Sequence, residues 1–145
     1  MVAETLDAYL SYQKRAAQNE RFYALHLDVE PHQDRKLSDE RKWQLYADFV
    51  LRAAADVHAA GEKIEWDIPF WLDGIRVAFG ERKDVSLLEV VMGASDCVAL
   101  MSYRDTAEAI LSPRVGSLGS TVAAAGIVSF RVVATMAVGG RRSTA

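Results

Sequence analysis

The chain has 145 residues, half of them hydrophobic, with 17 basic and 20 acidic side chains and a formal net charge of -3. That size and composition fit one globular α/β-sized domain, 1–145. The acidic balance argues against nucleic acid as a partner, because a phosphate-binding surface carries a basic excess. A single cysteine, Cys97, excludes an internal disulfide.

The start, MVAETLDAYLSYQ, lacks a basic stretch followed by an apolar run, so no signal peptide and a cytoplasmic location are expected. Residues 3–19 read as a helix, with Leu6, Tyr9, Leu10 and Gln13 at helical spacing. The next segment, FYALHLDVEPH, sets Leu25, Leu27 and Val29 on one side and His26, Asp28 and Glu30 on the other. This alternation predicts a strand near 22–30 ended by Pro31. After a polar loop, Ser38 is the expected N-cap of a helix. Asp39 and Glu40 fall in its first turn, and Trp43, Tyr46, Val50, Ala53 and Val57 form its apolar stripe. Gly61 is the expected stop.

KIEWDIPFWL predicts a second strand near 63–69, in which Ile64, Trp66 and Ile68 alternate with Glu65 and Asp67. A charged loop is expected next, then a short helix from Ser86 to Met92 closed by Gly93. DCVALMSYRD predicts a third strand near 97–103. Residues 105–125 read as a helix interrupted by Pro113, and IVSFRVVATMAV as a fourth strand near 127–137. The stretch from Val115 to Gly140, whose only charge is Arg131, is broken by Gly116, Gly119 and Gly126. It fits a small-residue helix, a turn and a strand better than a membrane span. Strands separated by helices predict a parallel sheet with flanking helices.

In such sheets reactive groups gather at the carboxyl ends of the strands. Asp28 and Glu30, then Asp67, then Tyr103, Arg104 and Asp105 occupy three such ends. Ordinary loop caps and salt bridges also place acids there, and for Asp67 that explanation is as good. His26 and His32 suggest a metal, but same-face neighbours along a strand are about 6.6–6.8 Å apart, so four such positions do not converge on one ion. His26 is instead expected to pack inside and hydrogen-bond an acid. GSLGS, residues 116–120, lacks the lysine of a phosphate loop and a preceding strand. Cys97, Trp66 and Phe70 read as core, whereas Trp71, beyond Pro69, is a candidate sugar-stacking surface. No cofactor is expected.

ALHLDVE, followed two strands later by VALMSYRD, resembles glycoside hydrolase family 18 and related glycosidase-type (β/α)8 barrels. That family carries D-x-x-D-x-D-x-E on its fourth strand and Met-x-Tyr-Asp on its sixth. Asp28, Glu30, Met101 and Tyr103 match, while Tyr23, His26 and Arg104 stand where the pattern has Asp. The resemblance spans roughly residues 22–105. It implies a partial TIM (β/α)8 barrel of about strands four to seven, since a whole barrel takes about 250 residues. It further implies Glu30 as general acid, Asp28 as its orienting partner and Tyr103 as a hydrogen-bond donor. Trp71, Asp67 and Arg104 would contact a carbohydrate. In that family the substrate's acetamido group is the nucleophile. For a sugar without one, Asp67 is the candidate second carboxylate, at the roughly 4.8 Å spacing of neighbouring strands. The implied function is glycoside-hydrolase-like, with little activity from this chain alone and self-association through open sheet edges. The alternative is a non-catalytic α/β interaction or fragment protein.

Overall fold

A computed structural model describes residues 2–101, with side chains from residue 4, and the backbone of residues 129–133. Helix α1, Val2–Arg15, buries Leu6, Tyr9 and Gln13 at the expected spacing. It stops short of the expected residue 19. Tyr12 donates its hydroxyl proton to the Glu20 carbonyl, and the Glu20 carboxylate accepts from the Ala17 amide, which folds residues 16–20 into a turn.

Strand β1 is Leu25–Asp28, shorter than the expected 22–30. At its start, the backbone of Phe22 is already occupied by a side chain. The Phe22 amide donates to Gln13 Oε1, and Gln13 Nε2 donates to the Phe22 carbonyl, both at 2.9 Å. Ladder bonding begins only where the Leu25 amide reaches the Lys63 carbonyl. At the far end the chain turns at Glu30 into a 3₁₀ turn, Pro31–Gln33.

Helix α2, Asp39–Ala59, follows Ser38, which sits at the N-cap position without a side-chain capping bond. Its stripe of Trp43, Tyr46, Val50, Ala53 and Val57 is buried. Gly61 adopts φ +75°, the left-handed conformation that a side chain resists, and so ends the helix. Strand β2 is Ile64–Pro69.

The expected charged loop is instead a two-stranded antiparallel hairpin, β3 (Arg76–Phe79) and β4 (Arg82–Ser86). Phe79 and Arg82 are partners, so Gly80 and Glu81 form a two-residue turn. Gly80, with φ +60°, fills the first turn position, where such hairpins favour glycine. The ladder is bulged on β4, where Lys83 and Asp84 stand opposite Ala78, and the Ala78 backbone binds α2: its amide donates to Gln44 Oε1, and Gln44 Nε2 donates to its carbonyl. Helix α3, Leu87–Gly93, leads to β5, Cys97–Met101, and the last described strand is β6, Ser129–Val133. The helix expected over 105–125 lies outside the described residues.

Strands β1, β2, β5 and β6 form a parallel sheet in that order. One face carries Leu25, Leu27, Ile64, Trp66, Ile68, Val98 and Leu100, which join α2 and α3 in a single buried cluster. Trp66 is fully buried there, edge-on to both Tyr46 and Phe49. The opposite face carries His26, Asp28, Glu65, Asp67, Cys97 and Ala99, set by the two-residue period of the strands. Cys97 is buried, as its place at the start of β5 suggested.

Candidate functional site

The parallel register brings two of the predicted carboxylates level. His26 faces Glu65 and Asp28 faces Asp67 across β1 and β2, and Asp67 is in turn level with Ala99 of β5. Asp28 ends its strand, whereas Asp67 lies two residues inside the end of β2. Asp28 is exposed, while Asp67 and Glu30 are half-buried. Both same-strand acids thus keep water access, which removes much of the cost that burying like charges would carry. Glu30 lies beyond the last residue of β1, at the start of the 3₁₀ turn, where Gln33 Nε2 donates to its carboxylate.

His26 differs from expectation in one respect. It bonds acids, but its side chain stays 42% exposed instead of packing inside. Its Nδ1 lies 3.1 Å from Glu65 and its Nε2 3.0 Å from Asp67. Burial of the ring disfavours its charge, but the bonds and negative charges of Glu65 and Asp67 outweigh this and raise its pKa above the ordinary 6.5. Across the sheet, burial first, and then the fields of Asp28 and Asp67, hold the Tyr46 hydroxyl protonated far into the alkaline range.

Trp71 is half-buried and packs edge-to-face on Trp43 of α2, with ring centroids 5.7 Å apart, and on His32 at 5.4 Å. Much of the indole therefore supports the α2 end, and a smaller part remains open than a free stacking surface offers. The loop after β1 and the start of α2 also border an open apolar pocket of about 240 Å³, lined by residues including Val29, Leu37, Leu45, Tyr46 and Phe49. Tyr103 and Arg104 lie outside the described residues. Among the described residues, no group of three or more His, Cys, Asp and Glu side chains is arranged to hold a metal ion, and no helix is long and apolar enough to cross a membrane.

Sequence reasoning missed the link between Glu65 and His26. The signal was present: both lie on the polar side of alternating strands, and only the register between them was unknown.

No protein-family model and no curated protein sequence matches this chain. Solved structures similar to it include a chitinase from Chromobacterium violaceum ATCC 12472, with TM-score 0.41 and 18% identity over 72% of this chain and 29% of the other. A class V chitinase from Pseudomonas fluorescens Pf-5 gives TM-score 0.42 and 19% identity over 72% of this chain and 27% of the other. The chain spans under a third of the length of either protein, and an overlap of that quality fixes neither its family nor its site.

Proposed function

We propose that this chain is part of a glycoside-hydrolase-like (β/α) barrel whose sugar-facing rim is formed by the carboxyl ends of β1, β2 and β5. The observation that carries this reading is the level placement of Asp28 and Asp67 on adjacent parallel strands, with Glu30 two residues further along. In this reading Glu30 is the general acid toward the leaving glycosidic oxygen, and Asp28 orients it and stabilises developing positive charge. Tyr103 donates a hydrogen bond to the substrate. Asp67, Arg104 and the open part of Trp71 contact the sugar. Turnover by the chain alone is small, because a barrel site draws groups from more strand ends than four.

Binding tests the reading directly. Oligosaccharides with and without N-acetyl groups, titrated into the labelled chain, are expected to shift the Trp71 indole resonance and the amides of residues 28–30 and 67. Glu30→Gln should keep the fold and the binding while abolishing any residual hydrolysis of activated aryl glycosides. If the whole sugar panel leaves those resonances unmoved, the carbohydrate reading is wrong.

A second reading, an α/β interaction module that self-associates, is favoured by the strand order. Among the described residues, β1 and β6 each have a strand partner on one side only. The partial barrel leaves the same edges open, so the sugar titration separates the two readings, and a monodisperse monomer in analytical ultracentrifugation at tens of micromolar (about the range where open edges aggregate) counts against both.

A further inference from the structure

Both ring nitrogens of His26 face carboxylate oxygens, Nδ1 that of Glu65 at 3.1 Å and Nε2 that of Asp67 at 3.0 Å. A neutral imidazole carries one N–H and one lone pair, whereas the imidazolium donates from both nitrogens. An ionised carboxylate only accepts. With a neutral ring, one contact sets a lone pair against a lone pair. The geometry is satisfied at both ends only when the three side chains together hold one proton more than a neutral imidazole and two carboxylates supply.

We propose that His26, Glu65 and Asp67 form a proton-holding clamp across β1 and β2, closed while the ring is doubly protonated, and that loss of this proton frees the Asp67 carboxylate at the strand ends.

The surroundings make the proton matter. Asp28 lies on the same face two residues along β1, so the ring is one cation among three carboxylates. Cys97 and Ala99 occupy the facing register positions on β5, and Ser129 and Arg131 the next positions on β6. Lys63, just before β2, interacts with Glu65 from the other end of the strand, and Tyr46 senses Asp28 and Asp67 from α2. Glu65 is the buried member of the clamp, and its carboxylate is hydrogen-bonded to His26. When the ring loses its proton, three carboxylates remain on the face with their cation gone, and the contact that must weaken first is the more exposed one, to Asp67. The sign of the linkage follows. A ring whose folded midpoint lies above 6.5 contributes its full stabilisation below 6.5 and loses it as the pH rises through that midpoint.

The inference stands whether or not the rim hydrolyses a glycoside, and NMR of the full chain tests it. Ring proton–nitrogen spectra are recorded from about pH 5 to pH 9, with His26→Gln identifying the resonances. Both ring nitrogens are expected to be protonated at the acid end, with a midpoint above 6.5. Asp67→Asn is expected to lower that midpoint by about half a pH unit or more, and Glu65→Gln to lower it in the same direction. The Asp67 side-chain carbonyl signal should move with the His26 midpoint. The Asp67 side chain is 21% exposed against 9% for Glu65, so its amide variant is the milder one and keeps the fold even where the Glu65 variant does not. A midpoint at or below 6.5, one indifferent to Asp67→Asn, or an Asp67 signal that ignores the His26 transition overturns the clamp.

Discussion

Asp96 stands just before β5 and ties it to the start of β2. Its Oδ2 accepts the Ile64 amide at 3.0 Å and lies 2.8 Å from His58 Nε2, while its own amide donates to the Ile64 carbonyl. Ile64 is fully buried, so Asp96→Ala strands an amide that water cannot readily reach. An orphaned buried donor costs about 1–3 kcal/mol, and the half-exposed contact to His58 adds at most about 1 kcal/mol. A loss of about 2–3 kcal/mol lowers the urea midpoint by about 1 M or somewhat more for a chain of this size. Asp96→Asn keeps an acceptor for the Ile64 amide and removes only the charge, so it should cost less than about 1 kcal/mol. The pH dependence has a definite sign. Burial raises the Asp96 pKa, but the Ile64 amide, His58 and Lys63 together bring it below its ordinary 3.8. The charge-dependent stabilisation is therefore present above pH 3.8 and is lost as the pH falls through the lower folded value. Urea unfolding near neutral pH and again below 3.8 measures both effects. The reasoning fails if Asp96→Ala stays within about 0.5 kcal/mol of the parent, if Asn is as damaging as Ala, or if the gap between parent and Ala does not narrow in acid.

Trp66→Ala should cost about 3–5 kcal/mol in thermal or urea unfolding, because it empties the centre of the helix-covered face. Trp66→Phe should cost far less, since it also removes an indole N–H that is buried without a partner. Gly61→Ala forces a side chain into φ +75° and should destabilise by about 1–2 kcal/mol. Gly93→Ala, in the last turn of α3 with no heavy atom within 4 Å of the added methyl, should be neutral or stabilising by up to about 1 kcal/mol. Gln44→Ala removes both bonds to the Ala78 backbone and should speed hydrogen exchange at the Ala78 amide, with a global loss under about 2 kcal/mol.

The alternation of Leu25 and Leu27 with His26 and Asp28, and of Ile64, Trp66 and Ile68 with Glu65 and Asp67, was enough to place two strands and decide which side of each meets the helices. The length of β1 was not legible, because it depends on Gln13, nine residues from Phe22 in sequence, claiming the Phe22 backbone. The hairpin escaped because its outward positions, Arg76, Arg82 and Asp84, look like a solvated loop. Its signal was the alternation of Val77 and Phe79 around a Gly–Glu pair, with Val85 answering on the far side. At the candidate site, residue types and strand ends were readable. The register that sets Asp28 beside Asp67 and His26 against Glu65 was not, since pairing is decided jointly by strands far apart in the chain. Trp71 was read from the proline before it. Its actual environment is set by Trp43 and His32, which only tertiary packing brings near.

Among the described residues, each main-sheet strand lies next to the main-sheet strand that precedes it in the chain, with no later strand inserted between earlier ones. During synthesis from the N-terminus, β1, α2 and β2 are therefore available to pair before β5 has been made, and β5 can add to a finished edge without prising anything open. The β3–β4 hairpin lies outside this succession as a separate two-stranded sheet among the described residues, held to α2 through Gln44. Ribosome-bound chains in which residue 75 has just cleared the exit tunnel should already protect the Leu25 amide, whose acceptor is the Lys63 carbonyl, from exchange. The hairpin amides gain protection only once both of its strands have emerged.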